Sequence, residues 1–339
     1  VVSGDRTFSA ERRVGFLILA IAAVCALGAP ALAPHATGAR FPGLLNAPPT
    51  RIHVRDASGR WRAPFIHPFI RVSQLEQIYE VDRTTAVPLA WLRGGRLVQS
   101  SDDARAPLLL LGADSFGRDV FSRLLHGARL SLGLALVSAL GAMIVGALLG
   151  GVAGYAGGVL DEALMRASDL VLVLPAMYVA LVLRSMMPLR LETPAVFALL
   201  AAIFALVGSP FIARGVRGIV RTERSLDYAA AAAALGASHV RLLGRHLLPA
   251  TRGFLAVEIT LLVPAFIVAE ATLSYVGLGF PDTAASWGTM LEDASTVSAF
   301  ADFPWLLTPA AAMFLVVLGL NLILQGKGGA VEVRYERPM

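Results

Sequence analysis

Six apolar runs, at residues 14–33, 130–155, 170–187, 195–213, 254–276 and 306–324, limit how this chain can fold. A helix needs roughly 20 residues to cross a hydrocarbon core, and the runs approach or exceed that length. They lack the polar stripe that a helix on a soluble core shows. Only 16% of the chain is charged, against about 25% in soluble domains, and the deficit is concentrated in the runs. The pattern predicts an all-α integral membrane protein with six transmembrane helices.

Charge orients the spans. Between Ala213 and Phe254 lie Arg214, Arg217, Arg221, Arg224, Arg241, Arg245 and Arg252, against Glu223 and Asp227. Residues 281–304 hold Asp282, Glu292, Asp293 and Asp302 and no Lys or Arg. The excess of Arg places the first loop in the cytoplasm and the second outside, and six spans then put both termini in the cytoplasm. The net charge of +5 is explained by this topology and calls for no nucleic-acid partner. The first run, preceded by Arg12 and Arg13 and ending Ala31-Leu32-Ala33, reads equally as a cleaved signal peptide or a retained signal-anchor. Cys25, the single cysteine, excludes an intrachain disulfide.

Between the spans the chain divides into an N-terminus with its first helix (1–33), an external segment (34–111), a transmembrane region (112–325) with a basic loop (214–253), and a cytoplasmic tail (326–339). The stretch 34–108 mixes Pro, Gly and charge with short extended patches such as 51–55, which suggests an irregular cap. Residues 112–132 open with turn residues. They continue as an amphipathic, interfacial helix with Phe116, Val120, Phe121, Leu124 and Leu125 on one face and Arg118, Asp119, Ser122 and Arg123 elsewhere. The second run carries Gly146, Gly150, Gly154 and Gly158 at four-residue spacing, a surface for close helix packing within the chain or against a partner.

The basic loop contains DYAAAAAALGASHVRLLGRHLLP, residues 227–249. Ala229 to Ala234 have very high helix propensity, Gly236 breaks the helix and admits close backbone approach, and a second helical stretch closes at Pro249. That is the design of a rigid docking element. No enzyme site accompanies it. Ser115 lacks the first glycine of a nucleophile elbow. His35, His53, His67, His126, His239 and His246 form no metal-ligand spacing, the last two suiting helix-end hydrogen bonds instead. Gly326-Lys327-Gly328 is not a phosphate-binding loop. The residues call for no cofactor.

Glu258 and Glu270 fall inside the fifth run, where a charge costs about 2.5–3.5 kcal/mol. They read as a proton or ion relay, as structural hydrogen-bonding groups, or, with Ser274, as lining of a translocation path. Twelve residues separate them, roughly 18 Å along a helix, too far to share a proton. A relay would suit an ion-coupled carrier, and the basic loop alone would suit a scaffold that recruits a cytosolic partner.

Residues 227–249 resemble the cytoplasmic "EAA" loop of ATP-binding cassette (ABC) importer permeases, in particular the C-type subunit of the dipeptide, oligopeptide and nickel importers. Three further blocks agree in order: GADSFGRDVFSRLLHGARLSL, GYAGGVLDEALMRASD and AEATLSYVGLGFPDTAASWGTML. The resemblance covers about residues 110–322. It implies the type I importer fold in a bacterial inner membrane, with a retained first span. It also implies a B-type permease partner in a heterodimer, two ATPase subunits that hydrolyse ATP, and an external substrate-binding protein. The ATPase-docking coupling helix maps to Asp227, Tyr228, Ala231, Ala232, Leu235, Gly236 and Ala237, and the motif's closing part to Arg245, His246 and Pro249. Family members carry Glu and Arg where this chain has Ala230 and Ala233, so docking here rests on shape and apolar contact. Ala113 replaces a usual Thr, the external segment is longer than typical, and the tail from Gln325 lacks the usual ending.

Overall fold

The computed structural model describes residues 10–56, 59–73, 76–188, 191–295 and 301–328. Among the described residues, five helical segments are long and apolar enough to cross a membrane: Ala10–Leu32, Val120–Ala156, Thr193–Arg224, His239–Tyr275 and Pro304–Leu324. A helix pair, Gly158–Val173 and Ala176–Ser185, supplies a sixth apolar segment bent by 88°. The straight span expected at 170–187 is therefore broken. Pro175 holds Leu174 in an extended conformation (φ −82°, ψ 136°), because its ring clashes with a helical predecessor.

The chain forms two compact units, one made of residues up to Ser131 together with those from Gly279 onward, the other of Leu132–Leu278. In the first, α1 (Ala10–Leu32) packs along α10 (Thr308–Gly328). Gly15 makes this possible: a Cβ there would lie 2.7 Å from the Gly319 carbonyl oxygen. Small residues let membrane helices approach in this way. Helix α10 runs past the boundary expected at residue 325, and the rest of the anticipated tail, 329–339, lies outside the described residues.

Among its described residues, the segment expected to be an irregular cap carries six short strands. β1 (His53–Arg55), β2 (Trp61–Ile66), β5 (Val87–Arg93) and β6 (Arg96–Ser100) form an antiparallel sheet in the order β1-β2-β5-β6, and β3 (Phe69–Ser73) pairs with β4 (Ile78–Val81). Gly94 and Gly95, both at positive φ (62° and 78°), close the β5–β6 hairpin, as a two-residue turn with matching twist requires. Ile66, Val87, Leu89, Ala106 and Leu108 make a small apolar core beneath the sheet.

The start of α2 (Val120–Ala156) departs most from expectation. Its helix begins at Val120, and the polar residues set apart from the apolar face of the expected interfacial helix are buried: Arg118, Asp119, Ser122 and Arg123 are all at most 3% exposed. Arg118 bridges Asp114 (2.6 Å), Asp293 (2.5 Å) and the Asp282 carbonyl oxygen (2.9 Å). Arg123 stands 3.6 Å from Asp114 and 4.0 Å from Asp293. Burial pushes the Asp293 carboxyl up to about 6, against the pull of Arg118. Beside this cluster the His35 ring contacts Asp119 (3.0 Å) and Asp103 (3.5 Å), and its backbone N–H donates to Ser122. Burial alone would lower the His35 pKa, but the two carboxylates outweigh it and raise it to about 9.

In the second unit α2 packs on α5 (Thr193–Arg224) through the glycine row. A Cβ on Gly146 would lie 2.6 Å from the Ser209 carbonyl oxygen, one on Gly150 would collide with Ala213 backbone, and one on Gly154 would lie 2.6 Å from the Arg217 carbonyl oxygen. Three of the four glycines are thus used within the chain. Gly158 faces open space at φ 56° and opens α3 (Gly158–Val173) instead. Helix α5 continues far beyond residue 213, so Arg214, Arg217, Arg221 and Arg224 lie on helix rather than in a loop.

Candidate functional site

The alanine run forms the expected helix, α6 (Asp227–Ala234). Asp227 stands in its first turn, where a carboxylate complements the positive end of the helix dipole. At the other end the Gly236 N–H bonds the Ala233 carbonyl and the Ala237 N–H bonds the Ala232 carbonyl. This is the paired-bond C-cap that requires a left-handed residue, and Gly236 supplies it at φ 85°. A Cβ at Gly236 would meet nothing within 4 Å. The glycine therefore serves backbone conformation here, and among the described residues no neighbour crowds it.

One side of α6 is held. Ala229 is 2% exposed and packs with Val216, Val220, Leu242 and Leu247, and half-buried Ala232 lies against the same cluster. The other side is bare. Ala230, Ala231, Ala233 and Ala234 are exposed, Leu235 is 89% exposed and Val240 is 83% exposed. Tyr228 is also exposed and donates to Glu223 at 2.7 Å, which with partial burial pushes its phenol up to about 12.

The segment beyond Gly236 does not close at Pro249. Ser238 caps a new start at α7 (His239–Arg241), and the chain stays helical through a π-turn, Leu242–Leu247, and a 3₁₀ turn, Leu248–Thr251, into α8 (Arg252–Tyr275). Pro249 lacks the N–H that a regular helix needs, and the altered turns carry the chain past it. Arg245 is exposed here, and His246 and Pro249 are half-buried.

Polar contacts brace the buried side. Arg217 makes a two-pronged bridge to Asp161 (one contact 2.6 Å), and Arg214 meets Asp169 at 2.5 Å. Arg224 donates to the Tyr155 carbonyl oxygen and sits 5.1 Å from the Tyr155 ring, whose hydroxyl lies 2.5 Å from His239 Nδ1. Much of the arginine surplus that sequence reading assigned to orientation is thus also spent in holding α5 to its neighbours. Asp161 and Tyr155 escaped notice because their partners lie 56 and 84 residues away.

Glu270 and Ser274 come together on α8. Both are buried, and the Ser274 hydroxyl donates to Glu270 Oε1 at 2.8 Å. Glu258 is half-buried on the same helix. Among the described residues no group of three His, Cys, Asp or Glu is placed to hold a metal ion.

Residues 124–336 match the family described as "Binding-protein-dependent transport system inner membrane component", which covers more than half of the chain. The chain belongs to this permease family. The match agrees with the oligopeptide transport system permease protein OppC of Bacillus subtilis (strain 168), 34% identical over 227 residues, or 67% of this chain and 72% of that protein. The dipeptide transport system permease protein DppC of the same strain is 35% identical over 226 residues, 67% and 69% of the two chains. The glutathione transport system permease protein GsiD of Pectobacterium atrosepticum is 34% identical over 226 residues, 67% and 73%. The protein is thus a multi-pass C-type permease subunit of an ABC importer. The strands, between His53 and Ser100, precede the residues matched to the family.

Proposed function

We propose that this permease moves peptides or related small solutes through a bacterial inner membrane, and that α6 is the coupling helix on which an ABC ATPase seats. The observation that carries the reading is the bare apolar side of α6. A short helix buried through Ala229 and braced by α5, yet showing Leu235 and Val240 almost fully to solvent, lacks a covering partner. Ala230 and Ala233 leave that surface uncharged, so shape and apolar burial drive the contact. The substrate class rests on the names of the relatives.

ATP is hydrolysed by the separate ATPase chain. When two such subunits close, α6 moves with its subunit. Its C-cap and its packing on Val216 and Val220 pass the displacement to α5, and the helices rock as rigid bodies. Nucleotide can bias this switch only to the extent that contacts differ between the two states. Both termini and the 214–253 region face the cytoplasm, while residues 34–111 face outward toward a substrate-binding protein. A B-type permease completes the heterodimer. Glu270 and Ser274 border the translocation path, with Glu258 further along the helix. The packing of α1 on α10 supports retention of the first span.

The test is a Leu235→Asp, Val240→Asp variant expressed with its ATPase. The variant is expected at normal membrane levels with ATPase recovery reduced at least tenfold. Undiminished recovery would remove α6 from the docking role.

A further inference from the structure

The strand-bearing segment contains a cleft of about 970 Å³ within the first unit. Arg51, Arg55, Arg62 and Arg83 all line it, and Asp56 is the one carboxylate among its described lining residues. That carboxylate already has an arginine beside it, Arg60 at 3.7 Å. Among the described residues, Arg51, Arg62 and Arg83 have no carboxylate within ion-pair distance. The floor is a cluster of rings: His53 stacks on Phe65 at 5.7 Å between centroids, and His67 meets His53 at 5.1 Å and Phe65 at 5.3 Å. Partial burial, then the charges of His67, Arg51 and Arg83, hold the His53 pKa below its usual value, which registers the positive potential in the cleft.

Arginines on an edge strand often do no more than discourage pairing with another chain. That accounts for Arg55 on β1, the edge of the sheet. It does not account for Arg62 on inner strand β2 or Arg83 beyond β4, which reach the same cleft from separate elements. Convergence of like charges is costly without a counter-ion. Guanidinium groups suit two-pronged contact with carboxylate or phosphate, and the volume lies in the range of small-molecule sites.

We propose that this cleft binds a small polyanion that carries two or more carboxylate or phosphate groups beside an apolar or ring portion. The arginines hold the oxyanions, and the His53–Phe65–His67 floor takes the rest. The site is independent of what the permease transports and of where the ATPase docks.

The test uses the purified full chain in phosphatidylcholine nanodiscs, titrated calorimetrically with triglutamate, inorganic pyrophosphate or trilysine. At least one of the anions is expected to bind saturably, more weakly at high salt, and trilysine is not. An R51Q/R62Q/R83Q variant is expected to lose at least tenfold in affinity. An R51K/R62K/R83K variant, which keeps the charge but not the forked geometry, is expected to lose less and guards against a misfolded glutamine variant. Repeating the titration in nanodiscs with one-third phosphatidylglycerol separates the sources: competition identifies a lipid headgroup, and unchanged affinity identifies a free solute. Absence of saturable binding by both anions, equal binding of trilysine, or full affinity in the glutamine variant overturns the proposal.

Discussion

The polar cluster around Arg118 and helix α6 around Ala229 treat water in opposite ways. In the first, Arg118, Asp114, Asp293, Asp119 and His35 are taken largely out of solvent and matched to one another. In the second, a helix of alanines is left half bare, with its ion pairs moved to the bracing helices behind it. Buried charge is costly unless it is paired; Arg118 and His35 find their carboxylates within the chain, while Arg123 beside them keeps only ionic distances of 3.6 and 4.0 Å, with no hydrogen bond to its buried guanidinium among the described residues. Exposed apolar patches mark interaction sites, and the second is the surface proposed above to seat an ATPase. The contrast separates residues whose loss breaks the protein from residues whose loss disconnects it.

The contrast breaks most readily at Arg118. Arg118→Met removes the hydrogen-bonded cation of Asp114 and Asp293, leaves them only the more distant Arg123, and is expected to cost about 3–5 kcal/mol. The measurement is thermal unfolding of the purified chain, where a drop of only a degree or two contradicts a structural role for the Arg118 bridges. Gly150→Val forces a side chain into the Ala213 backbone, and at about 1–3 kcal/mol it is expected to lower the yield of intact membrane protein. Equal yield would mean that α2 and α5 do not need to touch.

The His35 contact is sharpened by pH. Its folded pKa of about 9 lies above its usual value near 6.5, so its contribution is fully present below pH 6.5 and is lost as pH rises through 9. Unfolding temperature is expected to fall between pH 7 and 9.5, and His35→Gln to flatten that slope. An equally steep slope in the variant assigns the alkaline loss to another group. The smallest stability effect is expected at α6. Gly236→Ala keeps the space but not the favoured φ, for about 1–2 kcal/mol, with ATP-driven uptake falling more than unfolding temperature. Equal losses in both would make Gly236 a stability residue only.

The legible parts of the molecule are those set by local sequence. The apolar runs mark the long helices because 18 or more apolar residues have few other fates. Residues 227–236 give α6 because Asp, Ala and Gly act on the backbone within one or two turns. The buried charges were illegible for the opposite reason. Arg118 and Asp293 are 175 residues apart, and a helical-wheel view of 112–132 shows two faces without saying which one meets solvent. The bend at Pro175 carried a local signal, but the surrounding apolar run masked it. The six strands are three to seven residues long, too short for alternation to stand out. The arginine cleft arises from residues on separate strands and a loop, which only the sheet order brings together.

Cross-linking from the exposed side of α6 tests the central claim most directly. With Cys25 replaced by Ser, a Leu235→Cys chain in native membranes is treated with a short bifunctional thiol–amine reagent and its adducts are identified by mass. An adduct with an ABC ATPase, absent when the cysteine is moved to buried Ala229, is the predicted result. Labelling of Leu235→Cys from the outer face of intact cells, or a full set of adducts without an ATPase, would contradict the account.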